Sequence, residues 1–190
     1  MDTGDLITPS AADASVRPAR AADVPPIAAV QARAWRRAAP DLLPAHALDT
    51  VTDELLEQGW RAAVERPPSA RHAVLVACAG SAVVGFAAAA PCTDPDADRA
   101  TDAELVALEV DPAHRRSGHG SRLLSAVAGT LRDRGFGVLR VWCPAADRPR
   151  QEFLHSAGLR PDGARRELRT GPDSTLLQER LTAVLPAPAP

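Results

Sequence analysis

Apolar residues along the 190-residue chain follow two periods. Where they recur every three or four positions they predict one face of a helix; where they run together or alternate they predict a strand. Ala14 to Pro18 predicts a short strand. Asp23 predicts a helix cap, with Pro25 and Pro26 in the permissive first turn and Ile27, Val30, Ala34 and Trp35 on one face. Pro40 and Pro44 are expected to break that helix, and Leu48 to Val64 predicts one or two further helices ending before ERPPSAR. His72 to Cys78 and Ala82 to Ala90 predict a hairpin joined by AGSA, followed by the acidic loop PCTDPDADRATD. Glu104 to Val110 predicts the next strand, and Ser121 to Arg134 a helix with Leu123, Leu124, Val127, Ala128 and Leu131 as its apolar stripe and Gly135 as its stop. Gly137 to Cys143 then reads as a buried-type strand, which completes a strand, crossover helix and parallel strand. Asp147 predicts the cap of a helix through Ala157 with Gly158 as terminator, and ARRELRT and LLQERL predict a closing hairpin around Gly171, Pro172 and Asp173.

This order of elements predicts one mixed α/β domain over residues 13–184, with residues 1–12 and 185–190 as tails. The opening MDTGDLITPSAAD lacks the basic and apolar regions of a secretory signal. No apolar run approaches the ~20 residues of a membrane span, so no membrane partner is expected. The formal net charge of −2 supplies no basic field for nucleic acid, and the three Phe and three Trp leave little to stack on bases. Cys78, Cys92 and Cys143 are odd in number and scattered, which points to a reducing cytoplasm. The chain holds no Lys, no Asn and no Tyr, so apart from His every basic side chain is Arg.

One stretch carries candidate chemistry. VDPAHRRSGHGSRLL places two arginines and two glycines where a strand hands over to a helix. The first amides of a helix have no partner within it, and the aligned peptide dipoles favour an anion there. Gly118 and Gly120 let a phosphate approach the backbone, while Arg115 and Arg116 add charge; an ordinary turn with exposed arginines is the alternative. A Walker loop requires a lysine this chain does not have, and the dinucleotide fingerprint fails at Leu123, where its third glycine belongs. His114 and His119 bracket the turn at a spacing seen in some metal sites, yet no Cys or carboxylate cluster completes one, and no metal is expected.

ELVALEVDPAHRRSGHGSRLL, followed by a strand and a short helix with FLHSAGL, resembles the GNAT superfamily of N-acetyltransferases over nearly the whole order of elements. Its most specific piece is the Q/R-x-x-G-x-G/A turn, matched by Arg115, Arg116, Ser117, Gly118, His119 and Gly120. The resemblance implies a mostly antiparallel mixed sheet flanked by helices, whose two central parallel strands splay apart to admit acetyl-coenzyme A. It implies diphosphate contacts from the amides of Arg116 through Ser121, pantetheine pairing along Leu108 to Val110, and a gap between the strands at Glu104 to Val110 and Gly137 to Cys143. Asp147 stands where the family usually has an Asn that contacts pantetheine, and it lacks the amide donor. Leu154 stands where many members have a Tyr thought to protonate the departing thiolate.

In direct acetyl transfer a neutral amine attacks the thioester. A thiol of pKa ~8.5 leaves readily, so a missing acid should cost less than the ~10²- to 10⁴-fold typical of general acid catalysis. His155 is a nearby candidate acid, although it points about 100° from Leu154 around the helix. Glu104 and Glu109 are candidate bases, and five positions apart they fall on opposite faces unless a bulge intervenes. Glu104 is favoured, because a partly desolvated mouth would raise its pKa; a solvated charge at a strand start is its alternative. Carbonyl polarisation is expected from an amide near Val110, as the family implies.

Asp94, Asp96, Asp98 and Asp102 could draw a cationic amine, with a solvated acidic loop the favoured alternative, and Asp53, Glu54 and Glu57 are expected on a solvent-facing helix side. Trp35 and Trp60 read as core or pocket wall and Trp142 as core. The expected activity is acetyl transfer to a primary amine of a small molecule or a peptide N-terminus. The rival is a coenzyme-binding module of the same fold, catalytically weak or silent, used for sensing or protein contact. The closing hairpin and sheet edges allow a homodimer.

Overall fold

The computed structural model describes residues 14–42, 48, 51–171 and 174–186. The expected tail at 1–12, residues 187–190 of the expected tail 185–190, the Pro44 break and the hairpin tip at Pro172 and Asp173 lie outside these residues, while Leu185 at the start of that second tail is buried and donates its amide to the Gly137 carbonyl at 2.8 Å. The described residues form β1 (Ala14–Pro18), α1 (Val24–Leu42), α2 (Asp53–Glu65), β2 (Ala73–Ala79), β3 (Ala82–Pro91), β4 (Asp102–Val110), α3 (His119–Asp133), β5 (Val138–Pro144), α4 (Arg148–Ser156), β6 (Arg160–Gly171) and β7 (Ser174–Val184). The strands make one seven-stranded sheet in the order β1-β2-β3-β4-β5-β7-β6. Every neighbouring pair is antiparallel except β4 and β5, which are parallel because α3 crosses over between them.

Helices cover both faces, and the alternation of side chains along the strands divides the core accordingly. On one face Ile27 and Val30 of α1 bury against Val76, Cys78 and Phe86, with Trp60 of α2 edge-on to Phe86 at 4.8 Å. On the other, the expected α3 stripe of Leu123, Leu124, Val127 and Leu131 packs with Leu105, Leu139, Val141, Leu154 of α4 and Leu181. Thr52 caps α2 by accepting the Leu55 amide, and Asp147 caps α4 by accepting that of Arg150. Asp23 starts the first helical segment by pairing with the Arg17 guanidinium at 2.6 Å and accepting the Arg20 amide at 2.7 Å.

The structure departs from the sequence reading at three places that bear on the site. Pro40 does not end α1, which runs on to Leu42; so close to the end, the lost amide leaves only the last turn short of a bond. The helix after the glycine turn begins at His119 rather than Ser121, because Gly118 takes a left-handed φ of 78° and serves as its N-cap. Between β3 and β4 the register steps from Ala88↔Ala107 to Ala89↔Leu105, which leaves Val106 as an extra, exposed residue in β4.

Candidate functional site

The parallel pair does not run its full length. Only Asp102↔Val138, Ala103↔Leu139 and Glu104↔Arg140 are in register, and beyond Glu104 the two strands part. The β5-facing backbone groups of β4 past Glu104 are therefore left without a strand partner. The gap that the resemblance implied is present, lined by Leu105, Leu108, Val141, Trp142, Arg150 and Leu154. Leu154 is 1% exposed and closes its floor as part of the core, so this side chain serves packing.

Arg150, one turn before Leu154 on α4, reaches into the gap. Its Nη2 donates to the Leu108 carbonyl at 3.3 Å and to Glu109 Oε1 at 2.5 Å. Burial opposes this charge, but Glu109 more than offsets it and holds the guanidinium above its ordinary range. The Glu109 carboxylate, 12% exposed, is thus committed to an ion pair. The sequence reading did not single out Arg150; its only sequence signal is the i, i+4 spacing to Leu154, which puts both on one helix face.

At the far end of β4, Asp111 accepts the Ala113 amide at 2.9 Å and the Arg33 Nε of α1 at 2.8 Å, anchoring the turn that follows. Arg116 adopts φ 65° and Gly118 φ 78°, so the chain doubles back before α3 starts. The first helical bond runs from the Arg122 amide to the Gly118 carbonyl at 3.1 Å. Gly118 supplies no side-chain cap, so the amides of Gly118, His119, Gly120 and Ser121 meet no acceptor among the described residues. Arg115, Arg116 and Ser117 are exposed beside them. Arg122, which the sequence reading passed over, folds back to donate to the Ser117 carbonyl at 3.0 Å. His119 turns its ring inward, and burial first, then Arg122 and His114, lowers its pKa and keeps it neutral. Donors and positive charge converge here, a setting suited to phosphate groups.

The bulge at Val106 changes the relation between the two candidate bases. Glu104 lies opposite Ala90 and Glu109 opposite Phe86, partners an even number of positions apart, so both carboxylates project from the face that carries α1. Glu104 is half-buried and makes no hydrogen bond among the described side chains; burial raises its pKa, Arg166 works against that and Asp94 adds to it. Glu109 differs by its ion pair.

On the same face, over β5, β7 and β6, the acidic loop is clasped rather than free. Arg180 donates to Asp94, Asp96 and Asp162 at 2.6–2.9 Å, and Arg140 donates to Asp102 at 2.6 Å and pairs with Asp96 at 3.1 Å. The solvated loop favoured from sequence is thus corrected for Asp94 and Asp102, while Asp96 stays exposed although paired: carboxylates distant in sequence meet two arginines that only strand pairing brings beneath them. Trp142 is corrected too. It is half-buried on this face, donates Nε1 to Asp94 at 3.1 Å and lies under the Arg166 guanidinium at 4.3 Å.

Among the remaining predicted residues, Val110 ends β4 beside Gly120. Asp147 is spent on capping α4 and pairs with Arg150 Nε at 3.4 Å. His155 lies outside the lining of the gap, and its Nε2 is buried without a partner among the described residues. Asp53 and Glu54 are exposed in the first turn of α2, and Glu57 pairs with Arg61 at 3.9 Å, as a solvent-facing side requires. Among the described residues no helix is long and apolar enough to cross a membrane.

The family model for the acetyltransferase (GNAT) family matches residues 32–159. Similar solved structures include yncA, a putative acetyltransferase from Salmonella typhimurium with its cofactor acetyl-CoA, at 22% identity and TM-score 0.66 over 94% of this chain and 97% of that one. The PaiA N-acetyltransferase from Thermoplasma acidophilum in complex with coenzyme A is similar at 17% identity and TM-score 0.71 over 87% and 97%. The ribosomal-protein-S18-alanine N-acetyltransferase from Escherichia coli is similar at 17% identity and TM-score 0.66 over 93% and 96%. No curated protein matches the chain.

Proposed function

Because the chain belongs to the acetyltransferase (GNAT) family, we propose that it moves an acetyl group from acetyl-coenzyme A to a primary amine, of a small molecule or a peptide N-terminus, by direct attack. The observation that carries this reading is the coincidence, along one strand, of an unpaired β4 edge, a helix mouth with free amides, and an unpartnered half-buried carboxylate.

In this reading the amides from Arg116 through Ser121 hold the diphosphate, with Arg115 and Arg116 adding charge. The free edge of β4 around Leu108 to Val110 pairs with the amide-bearing pantetheine arm, as an added strand pairs with a sheet edge. Arg150 must release the Leu108 carbonyl for that pairing, and Asp147 pairs with the same guanidinium. The bound coenzyme supplies an activated acyl thioester whose thiolate is a good leaving group. Glu104 takes the proton lost by the amine, directly or through one water, because its raised pKa brings it closer to neutral pH than an exposed carboxylate. Glu109 serves by fixing Arg150 rather than as the base. An amide near the end of β4 polarises the carbonyl. No covalent acyl-cysteine is needed: all three cysteines are buried, and burial pushes the Cys143 thiol up to about 12. With Leu154 in the acid's usual place, the thiolate departs unassisted or through water, and His155 contributes little.

The test is calorimetric titration of acetyl-coenzyme A, followed by thiol release with a panel of polyamines, aminoglycosides, amino acids and peptides. Binding together with amine-dependent thiol release supports the reading. Binding without release on any amine favours a silent coenzyme-binding module, and no binding sinks both.

A further inference from the structure

The face that carries Glu104 holds an unmatched pair of opposite charges. Glu104 has no hydrogen-bond partner among the described residues. Across the sheet Arg166 donates only its Nε, to Gln178 Oε1 at 2.7 Å, and both Nη groups face no acceptor among the described residues. Trp142 lies on the same face as both: Arg166 stacks on its ring, the indole also lines the gap, and Glu104 pairs in register with Arg140, two residues before it on β5. Arg166 is near enough for its charge to act on Glu104. Register sets this arrangement, since Arg166↔Gln178, Gln178↔Pro144 and Trp142↔Arg180 place their side chains on one face and Glu104↔Arg140 ties β4 into it.

The neighbouring cations differ in kind. Arg180 is saturated by Asp94, Asp96 and Asp162, whereas Arg140 pairs with Asp96 and Asp102 and keeps a buried Nε without an acceptor among the described residues; with four aspartates on two arginines that cluster retains negative charge. Such a field favours the ammonium end of an acceptor. A guanidinium held by its Nε and by an aromatic ring, with its two Nη groups free, presents a fork suited to a carboxylate.

We propose that the acceptor is a compact zwitterion of the amino-acid class, its amine directed to Glu104 and its carboxylate taken by the Nη fork of Arg166. This rests on the transferase reading above and narrows its substrate class. Polyamines lack the anion, and a peptide N-terminus carries its carboxylate too far away. Arg166 is then a specificity-determining residue that touches the acceptor but not the reacting carbon.

The experiment measures thiol release from acetyl-coenzyme A with the common α-amino acids, then compares the best acceptor with its carboxamide and its decarboxylated amine. The wild-type enzyme is expected to use the free acid with kcat/KM at least tenfold above either analogue. Arg166→Gln should lower kcat/KM for the acid at least tenfold more than for the carboxamide, chiefly through KM, and Arg166→Lys should recover part of the loss. The wild-type comparison holds whatever the variants do, and melting curves report whether the variants fold. Equal use of acid, amide and amine by the wild type overturns the inference and leaves the transferase reading standing. Thiol release with none of the amines overturns both.

Discussion

Gly118 and Gly120 stand two residues apart at the helix mouth, and the structure predicts that alanine will act differently at each. Gly118 has φ 78°, and a Cβ built there lies 3.1 Å from an Arg122 guanidinium nitrogen. A side-chain-bearing residue held in that left-handed region costs about 1 to 2 kcal/mol, of which lower unfolded-chain entropy returns roughly 0.4 to 1. At about 2 to 4 °C per kcal/mol for a chain of this size, Gly118→Ala should melt a few degrees below the wild type. It also pushes Arg122 off the Ser117 carbonyl and tilts the free amides. Losing one charge-assisted bond to a phosphate removes about 1.5 to 3 kcal/mol, or roughly 10- to 150-fold in affinity. At Gly120 the added Cβ meets the Phe153 ring at an ordinary 3.5 Å, and the backbone is already helical. Gly120→Ala should therefore melt at or above the wild-type temperature and bind coenzyme A within a few fold of it. Scanning fluorimetry with and without coenzyme A, together with calorimetric Kd values, reads both effects. A folded Gly118→Ala that binds with wild-type affinity would refute the role given to these amides.

Four further outcomes follow from the same structure. Burial raises the Glu104 pKa, so a turnover that depends on its ionised form should fall as pH drops through that raised value, and Glu104→Gln should flatten this acid limb; a limb unchanged in the variant removes Glu104 from proton transfer. Because the folded pKa lies above the unfolded one, the folded chain binds more protons there, Glu104 costs stability above its unfolded pKa, and Glu104→Gln should melt no lower than the wild type at neutral pH. Arg180→Gln leaves Asp94 and Asp162 without their shared cation; with Asp96 well exposed and screened, the loss should be roughly 2 to 4 kcal/mol in urea unfolding, and a loss under about 0.5 would mean that the clasp contributes nothing. The Arg17 guanidinium holds the Asp23 carboxyl below its usual range, so this pair stabilises above the ordinary carboxylate pKa and fades as pH falls; Asp23→Asn should cost about 1 to 3 kcal/mol near neutrality and converge on the wild type in acid, where parallel curves would contradict it.

The order of elements and the glycine turn before α3 were legible along the chain, because each rests on local rules. The stripe Leu123, Leu124, Val127 and Leu131 obeys the helical period, Asp23, Asp147, Gly135 and Gly158 mark element ends by capping and left-handed turns, and β1 ends where its proline stands. Local rules do not extend to register. One extra residue at Val106 put Glu104 and Glu109 on the same face, and nothing in ELVALEV announces it. The division of labour between those glutamates was decided by Arg150, a partner 41 residues beyond Glu109. The acidic loop looked solvated because its arginine partners lie 38 to 86 residues away, on strands that pairing alone brings beneath it. Periodicity and capping are properties of neighbouring residues and survive in a one-dimensional reading. Charge pairing and the side a strand presents are set by contacts across the sheet, and so the tertiary structure decided which carboxylates are free to do chemistry.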